Sequence, residues 1–192
     1  MTQIYFVRHA QPDFTYENDR NRPLTEAGRE DSKKVTQALK DIKLDFALSS
    51  PYLRSMETIR ECVEYHGLSI VTDDRLRERV SGLQGNTHGM IRKRWSEFEY
   101  HEEGGESIGM VQRRNIEAIT DLLHTHQGQS IIIGTHGTAL STILNYFDPI
   151  FHCDSFFRVI DFMPYIIRLD FEGTECVGKE ELLIVKKDFI GN

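Results

Sequence analysis

The sequence has little from which to build a disulfide framework. Its 192 residues hold three cysteines, Cys62, Cys153 and Cys176, odd in number and far apart. That pattern fits a reducing compartment, and a cytoplasmic location is expected. Long apolar runs are missing too: stretches such as Ile4–Val7 and Leu182–Val185 are strand-sized, so no membrane span is expected. The chain enters Ile4-Tyr5-Phe6-Val7 with no basic segment before it, which gives no sign of a secretory leader. Positive charge is in deficit, and a formal net charge of −7 argues against a general nucleic-acid binder. No internal repeat, linker or low-complexity segment divides the chain, so residues 1–192 are expected to form one domain. A chain of this length buries enough surface to fold without metal or disulfide.

What is present is an alternation of short apolar runs with amphipathic ones. Strands are expected at 3–7, 45–49, 68–72 and 130–134. Helices are expected from Thr25 to about Lys40, after Ser50-Pro51, near 89–99, from a Ser107 cap to about His126, and from Gly137 onward. Further strands are expected near 156–161, 164–171 and 181–186. Such alternation implies an α/β fold, with a largely parallel sheet and antiparallel additions at the end. Residues 73–106, polar and irregular, are expected to form a lid.

Reactive residues follow three of the strands. The first runs into Arg8-His9, the second into Ser49-Ser50-Pro51 with Arg54, and a later one into Thr135-His136-Gly137. Ligands of open α/β sheets bind beyond the carboxyl ends of the strands, so these residues share one crevice if their strands are neighbours. Arg54 would lie in the first turn of a helix, where a cation is disfavoured unless an anion joins it. In Arg75-Leu76-Arg77-Glu78-Arg79, an extended backbone would put the arginines on one side and Leu76 with Glu78 on the other. A carboxyl kept from those cations and set beside a phosphate dianion would favour its protonated form, as a proton donor requires.

These residues resemble the histidine phosphatase superfamily, in its phosphoglycerate mutase-like branch. The resemblance begins at Val7-Arg8-His9-Ala10-Gln11 and continues through Pro23-Leu24-Thr25-Glu26-Ala27-Gly28. It then takes in Ser49-Ser50-Pro51 with Arg54 and Thr58, Leu76-Arg77-Glu78 with Gly82 and Gly85, Gly104-Gly105-Glu106-Ser107, and Gly134-Thr135-His136-Gly137. It implies a three-layer sandwich with a mostly parallel central sheet flanked by helices. It also implies a metal-independent phosphatase that hydrolyses phosphate monoesters through a phosphohistidine intermediate. His9 matches the nucleophile, Glu78 the acid that protonates the leaving oxygen, and Arg8, Arg54 and His136 the phosphate pocket. No cofactor and no metal are implied. Departures at Gln11-Pro12, and a chain too short for the mutases' larger cap, favour hydrolysis over phosphoglycerate mutase-type transfer. A non-catalytic phospho-ligand binding module is a more remote alternative.

The expected partner is a small phosphorylated substrate, with phosphoproteins compatible with the same pocket, and neither nucleic acid nor membrane is expected. Which substrate it is, the oligomeric state, and whether Asn18, Asn21 or Arg22 reach the site are left open. Other clusters have plainer readings. His124 and His126 do not share a helix face, and His152-Cys153-Asp154 lacks a further spaced ligand set, so neither is a candidate metal site. Trp95, Phe98 and Tyr100 are expected to anchor the lid, and Glu106 to belong to a turn or to act indirectly.

Overall fold

The computed structural model describes residues 1–188. Six strands form one sheet: β1 (Thr2–Arg8), β2 (Phe46–Ser49), β3 (Val71–Thr72), β4 (Ser130–Thr135), β5 (Phe162–Glu172) and β6 (Glu175–Lys186), in the order β3-β2-β4-β1-β5-β6. The first four pair in parallel, and β5 and β6 join antiparallel at one side. The strands that end in Arg8-His9, Ser49-Ser50 and Thr135-His136 are therefore consecutive neighbours. Side chains alternate along each strand, so the sheet offers two apolar faces. Ile4, Phe6, Ile131 and Ile133 pack on one side under α4 (Ile108–Thr125) and α5 (Gly137–Phe147). Tyr5, Val7, Ile132 and Ile166 pack on the other under α1 (Glu26–Leu39) and α2 (Leu53–Tyr65). This is the expected three-layer sandwich.

Local chemistry sets the helix starts. Thr25 caps α1 by accepting the Gly28 N–H at 2.9 Å, and Ser107 caps α4 through the Met110 N–H at 3.0 Å. Gly28 has to be glycine, because a Cβ there would lie 2.3 Å from the Gln11 carbonyl oxygen. That close approach, with the Pro12–Leu24 bridge, closes the neck of the 9–24 loop that follows β1. Gly134 plays a similar part in β4, where a Cβ would meet Ser49 Oγ at 2.6 Å and Ser55 Oγ at 2.8 Å.

Three expectations need correction. Helix α2 starts at Leu53 rather than Pro51, with Tyr52 as its N-cap and no side-chain cap. The Ser50 hydroxyl, the expected cap, accepts only the Tyr52 N–H, at 3.3 Å, and is bonded more closely to His136. The run 156–161 is not a strand: Cys153–Val159 forms α6, with Phe156 turned onto Trp95 of α3 (His88–Ser96). The apolar run was strand-like, but its i, i+3 pair Phe156 and Val159 is what becomes buried. The strand expected at 68–72 shrinks to Val71–Thr72, both exposed at the sheet edge. No helix among the described residues is long and apolar enough to cross a membrane.

Candidate active site

A cavity of about 520 Å³ opens beyond the carboxyl ends of β1, β2 and β4. His9 and Arg8 enter it from the end of β1, Arg54 from the first turn of α2, and Glu78 from the segment after the 3₁₀ turn Asp74–Leu76. His136 stands behind His9, with ring centroids 5.3 Å apart in an edge-to-face arrangement. All five expected residues are thus brought together.

The tautomer of His9 follows from its partner. Its Nδ1 lies 2.7 Å from the Ala10 carbonyl, which can only accept, so Nδ1 carries the proton and Nε2 keeps its lone pair. The Ala10 N–H donates to Thr58 Oγ1 at 2.9 Å, and Thr58 in turn donates to the Arg54 carbonyl at 2.7 Å. The matched threonine therefore ties the histidine loop to the helix that carries Arg54. Burial, then the Arg54 and Arg8 guanidinium groups, hold His9 well below the ordinary imidazole range of about 6.5. Burial, then Arg54 and His9, do the same to His136. Its Nε2 is 2.7 Å from Ser50 Oγ, and its Nδ1 is buried without a partner.

The cations are held by their far ends. Arg8 donates to the carbonyls of Val159 and Ile160 at 2.6 and 2.9 Å, while its Nε is buried and unpartnered. Burial pulls it down to about 10, against the opposing pull of Glu78. Arg54 is held through one nitrogen by the Asp19 carbonyl at 2.6 Å and its carboxylate at 3.1 Å. Burial also lowers Arg54, with Asp19 opposing. Glu78 accepts from the N–H groups of Arg79 (2.8 Å), Thr138 and Ala139 (both 3.1 Å). It therefore caps the N-terminus of α5, directly after His136, and these bonds link the 73–106 segment to that helix.

One expectation about this segment fails. The three arginines of the 75–79 run do not share a side, because the 3₁₀ turn capped by Asp73 rotates Arg75 away from the extended residues behind it. Arg75 pairs with Asp73 and Asp121 and Arg77 with Asp74 and Glu106, whereas Arg79 lines the cavity beside Glu78. Glu106 proves structural: it also binds Arg114 and the Val80 N–H. Arg114 of α4 donates to the carbonyls of Arg75, Arg77 and Glu78 at 2.7, 2.7 and 3.1 Å, a backbone clamp that no local motif announced. Arg22 reaches the cavity and pairs with Asp19, while Asn18 and Asn21 bond to each other in a turn. Asp19, Asn86 and Arg94 also line it, and only adjacency to Glu78 could have singled out Arg79 beforehand. Trp95 both anchors α3, against Phe98, His152 and Phe156, and lines the cavity.

Comparison with known families decides what this arrangement belongs to. The histidine phosphatase superfamily (branch 1) matches residues 4–165, most of the chain and every residue of the site. The chain belongs to that superfamily. Among members of the histidine phosphatase superfamily, phosphoserine phosphatase 1 of Hydrogenobacter thermophilus is 27% identical over 153 residues, covering 71% of each chain. A probable phosphoglycerate mutase, GpmB, of Yersinia pestis is 28% identical over 159 residues, covering 76% of this chain and 74% of its own. The structure of Bacillus stearothermophilus YhfR superposes with a TM-score of 0.75 at 26% identity, over 92% of this chain and 94% of that one. A phosphoserine phosphatase mutant from Entamoeba histolytica, solved with phosphoserine, shares the fold at a TM-score of 0.77 and 17% identity, over 95% of this chain and 97% of its own.

The two depressed histidines have a consequence for stability. Below about pH 6.5 the unfolded chain protonates both, while the folded chain does not. The unfolded state then binds more protons, so stability is fully present above that pH and falls below it, by up to about 1.4 kcal/mol per pH unit for each group. Depressed carboxylates act lower on the scale. Burial raises Glu106, but Arg114, the Val80 N–H and Arg77 together bring it below its ordinary 4.5. Urea unfolding between pH 7 and 5 is expected to show the slope of two histidines, and His9→Ala about half of it. A flat profile over that window would contradict the assigned protonation states.

Proposed function

We propose that this chain is a metal-independent phosphatase that transfers the phosphoryl group of a phosphate monoester to His9 and then to water. The observation that carries the reading is the setting of His9: its Nδ1 faces the Ala10 carbonyl at 2.7 Å, and burial with Arg54 and Arg8 lowers its pKa, an arrangement that leaves the Nε2 lone pair for a ligand in the arginine-lined cavity. In the first step Nε2 attacks phosphorus and the ester P–O bond breaks. Glu78, in its acid form, gives its proton to the departing oxygen. In the second step the Glu78 carboxylate takes a proton from water, the water oxygen attacks phosphorus, and the P–N bond breaks to release phosphate. Splitting the displacement in this way and stabilising charge on the equatorial oxygens are what phosphoryl transfer asks of a protein.

Arg8 and Arg54 supply that charge, each held elsewhere so that reorganisation is small. A Ser50 hydroxyl donating to His136 Nε2 would leave the His136 proton on Nδ1, free to donate to a phosphoryl oxygen. The 73–106 segment serves as a lid, since it carries Glu78 and the far wall of the cavity.

A second reading, phosphoglycerate mutase-type transfer, is kept because a relative bears that name. Incubation with 3-phosphoglycerate and a bisphosphoglycerate primer distinguishes the two. The proposal expects free phosphate; 2-phosphoglycerate in its place would replace hydrolysis with transfer. Release of p-nitrophenol from p-nitrophenyl phosphate in EDTA is expected to persist, and its loss on chelation would refute metal independence.

A further inference from the structure

Glu78 is held from two sides. Its carboxylate accepts the N–H groups of Thr138 and Ala139 at the start of α5. Its backbone is held by α4, where the Arg114 guanidinium donates to the Glu78 carbonyl at 3.1 Å and to those of Arg75 and Arg77 at 2.7 Å each. The two helices are fixed to each other in turn. Gln112 of α4 donates to the Thr142 carbonyl at 3.0 Å and to Asn145 Oδ1 at 2.9 Å, both on α5.

Arg114 keeps nothing back for a ligand. An arginine has five N–H donors. Three of them meet the carbonyls, and Nε and Nη2 fork the Glu106 carboxylate at 2.9 and 2.8 Å, which neutralises the charge inside the protein. Glu106 also takes the Val80 N–H at 2.9 Å and pairs with Arg77, so the chain is caught again just past Glu78. The grip is close there, since a Cβ on Gly105 would lie 2.8 Å from the Gly82 nitrogen. Residues 77–80 form neither helix nor strand. One guanidinium therefore does for their carbonyls what a neighbouring strand would do, and a lysine, with three donors on a single atom, could not span them. Arg114 also adds to the lowering of His136, behind burial, Arg54 and His9. An effect through that charge would fall on the phosphoryl group, and so on every ester alike.

A carboxyl that protonates a leaving oxygen has to come within hydrogen-bond reach of it, and a displacement of about 1 Å can cost about 10²-fold in rate. The bonds to α5 hold the carboxyl only until it turns toward the substrate, whereas the backbone bonds hold the place it turns from. We propose that Arg114 is a positioning residue for the acid step, fixing the backbone of Glu78 so that its carboxyl reaches the leaving oxygen. The inference rests on the reading of Glu78 as the general acid. Arg114 itself touches neither substrate nor phosphoryl group.

The test compares two esters of similar size, benzyl phosphate, whose alcohol needs a proton to leave, and p-nitrophenyl phosphate, whose phenolate does not. Their kcat/KM values report the first half-reaction. In Arg114→Gln the value for benzyl phosphate is expected to fall about 10–100-fold, and that for p-nitrophenyl phosphate less than about threefold. Arg114→Lys should lie between wild type and Arg114→Gln. In a Glu78→Gln background, adding Arg114→Gln should cost benzyl phosphate no more than about twofold, because the group it positions is already gone. Both esters meet the same folded fraction, so their ratio does not depend on it; melting curves report folding, and Arg114→Lys carries the test if Arg114→Gln does not fold. An equal loss for both esters, or a full further loss in the Glu78→Gln background, would overturn the positioning role while leaving the acid assignment intact. A ratio unchanged in Glu78→Gln, or a wild type that turns over only the aryl ester, would overturn the acid assignment and this inference with it. No turnover of either ester by the wild type would refute the phosphatase reading on which both depend.

Discussion

Replacing His9 by alanine is expected to lower kcat/KM for any phosphate monoester by at least about 10⁴, or roughly 5.5 kcal/mol of transition-state stabilisation. The size follows from the role. Among the described residues beside Arg8 and Arg54, no other side chain offers an uncharged, unprotonated nucleophile: His136 is turned into a bond with Ser50, and Arg8 and Arg54 are cations. A variant lacking only a binding contact would lose far less. Because the imidazole is removed with the backbone and Arg54 still in place, free imidazole added to His9→Ala is expected to restore part of the turnover. Its size and its Nε2-like nitrogen fit the vacated position. Unchanged kcat/KM in the variant would remove His9 from the mechanism.

The second large effect concerns Glu78 and depends on the leaving group. In Glu78→Gln, phosphorylation of the enzyme by an alkyl phosphate is expected to slow by about 10²–10⁴, the usual contribution of a positioned general acid. Nitrophenolate needs no proton to depart, so with p-nitrophenyl phosphate the same step is expected to change less than about tenfold. Loss of the base then slows hydrolysis of the phosphoenzyme, so rapid mixing should show a burst of nitrophenol followed by a slow steady rate. An equal loss of the burst rate for both classes of ester would mean that Glu78 only holds structure. That alternative has physical content, because its carboxylate caps α5 through Thr138 and Ala139. A glutamine amide turned toward those N–H groups would cost about 1 kcal/mol of stability, so the melting temperature is measured alongside.

The parts of the fold and site that could be read in advance are those written in short-range chemistry. Strand-end residues such as Arg8-His9 and Thr135-His136 announce a crevice because a parallel α/β sheet places ligands there. Thr25 and Ser107 announce helix starts because a hydroxyl satisfies a free N–H. The residues that escaped depend on contacts distant in sequence. Arg114 reaches the Glu78 segment from α4, across 36 positions, and nothing beside it in the chain marks it. Ser50 looked like a cap because a hydroxyl before proline usually is one, yet His136, 86 positions away, claimed it. The arginine run misled for a related reason: alternation predicts sides only while the backbone stays extended, and a single turn capped by Asp73 broke the register before Arg77. Arg79 thereby parts from Arg75 and lines the cavity beside Glu78.

The central claim is the covalent intermediate on His9. It is tested by mixing the enzyme with substrate, quenching in alkali where phosphohistidine survives, and measuring intact and peptide masses. The account predicts one added phosphoryl group, carried by the peptide that contains His9 and labile to acid. A phosphoryl group on another residue would contradict it. So would inversion at a chiral phosphorus with no phosphoenzyme at any time, since two displacements must retain configuration.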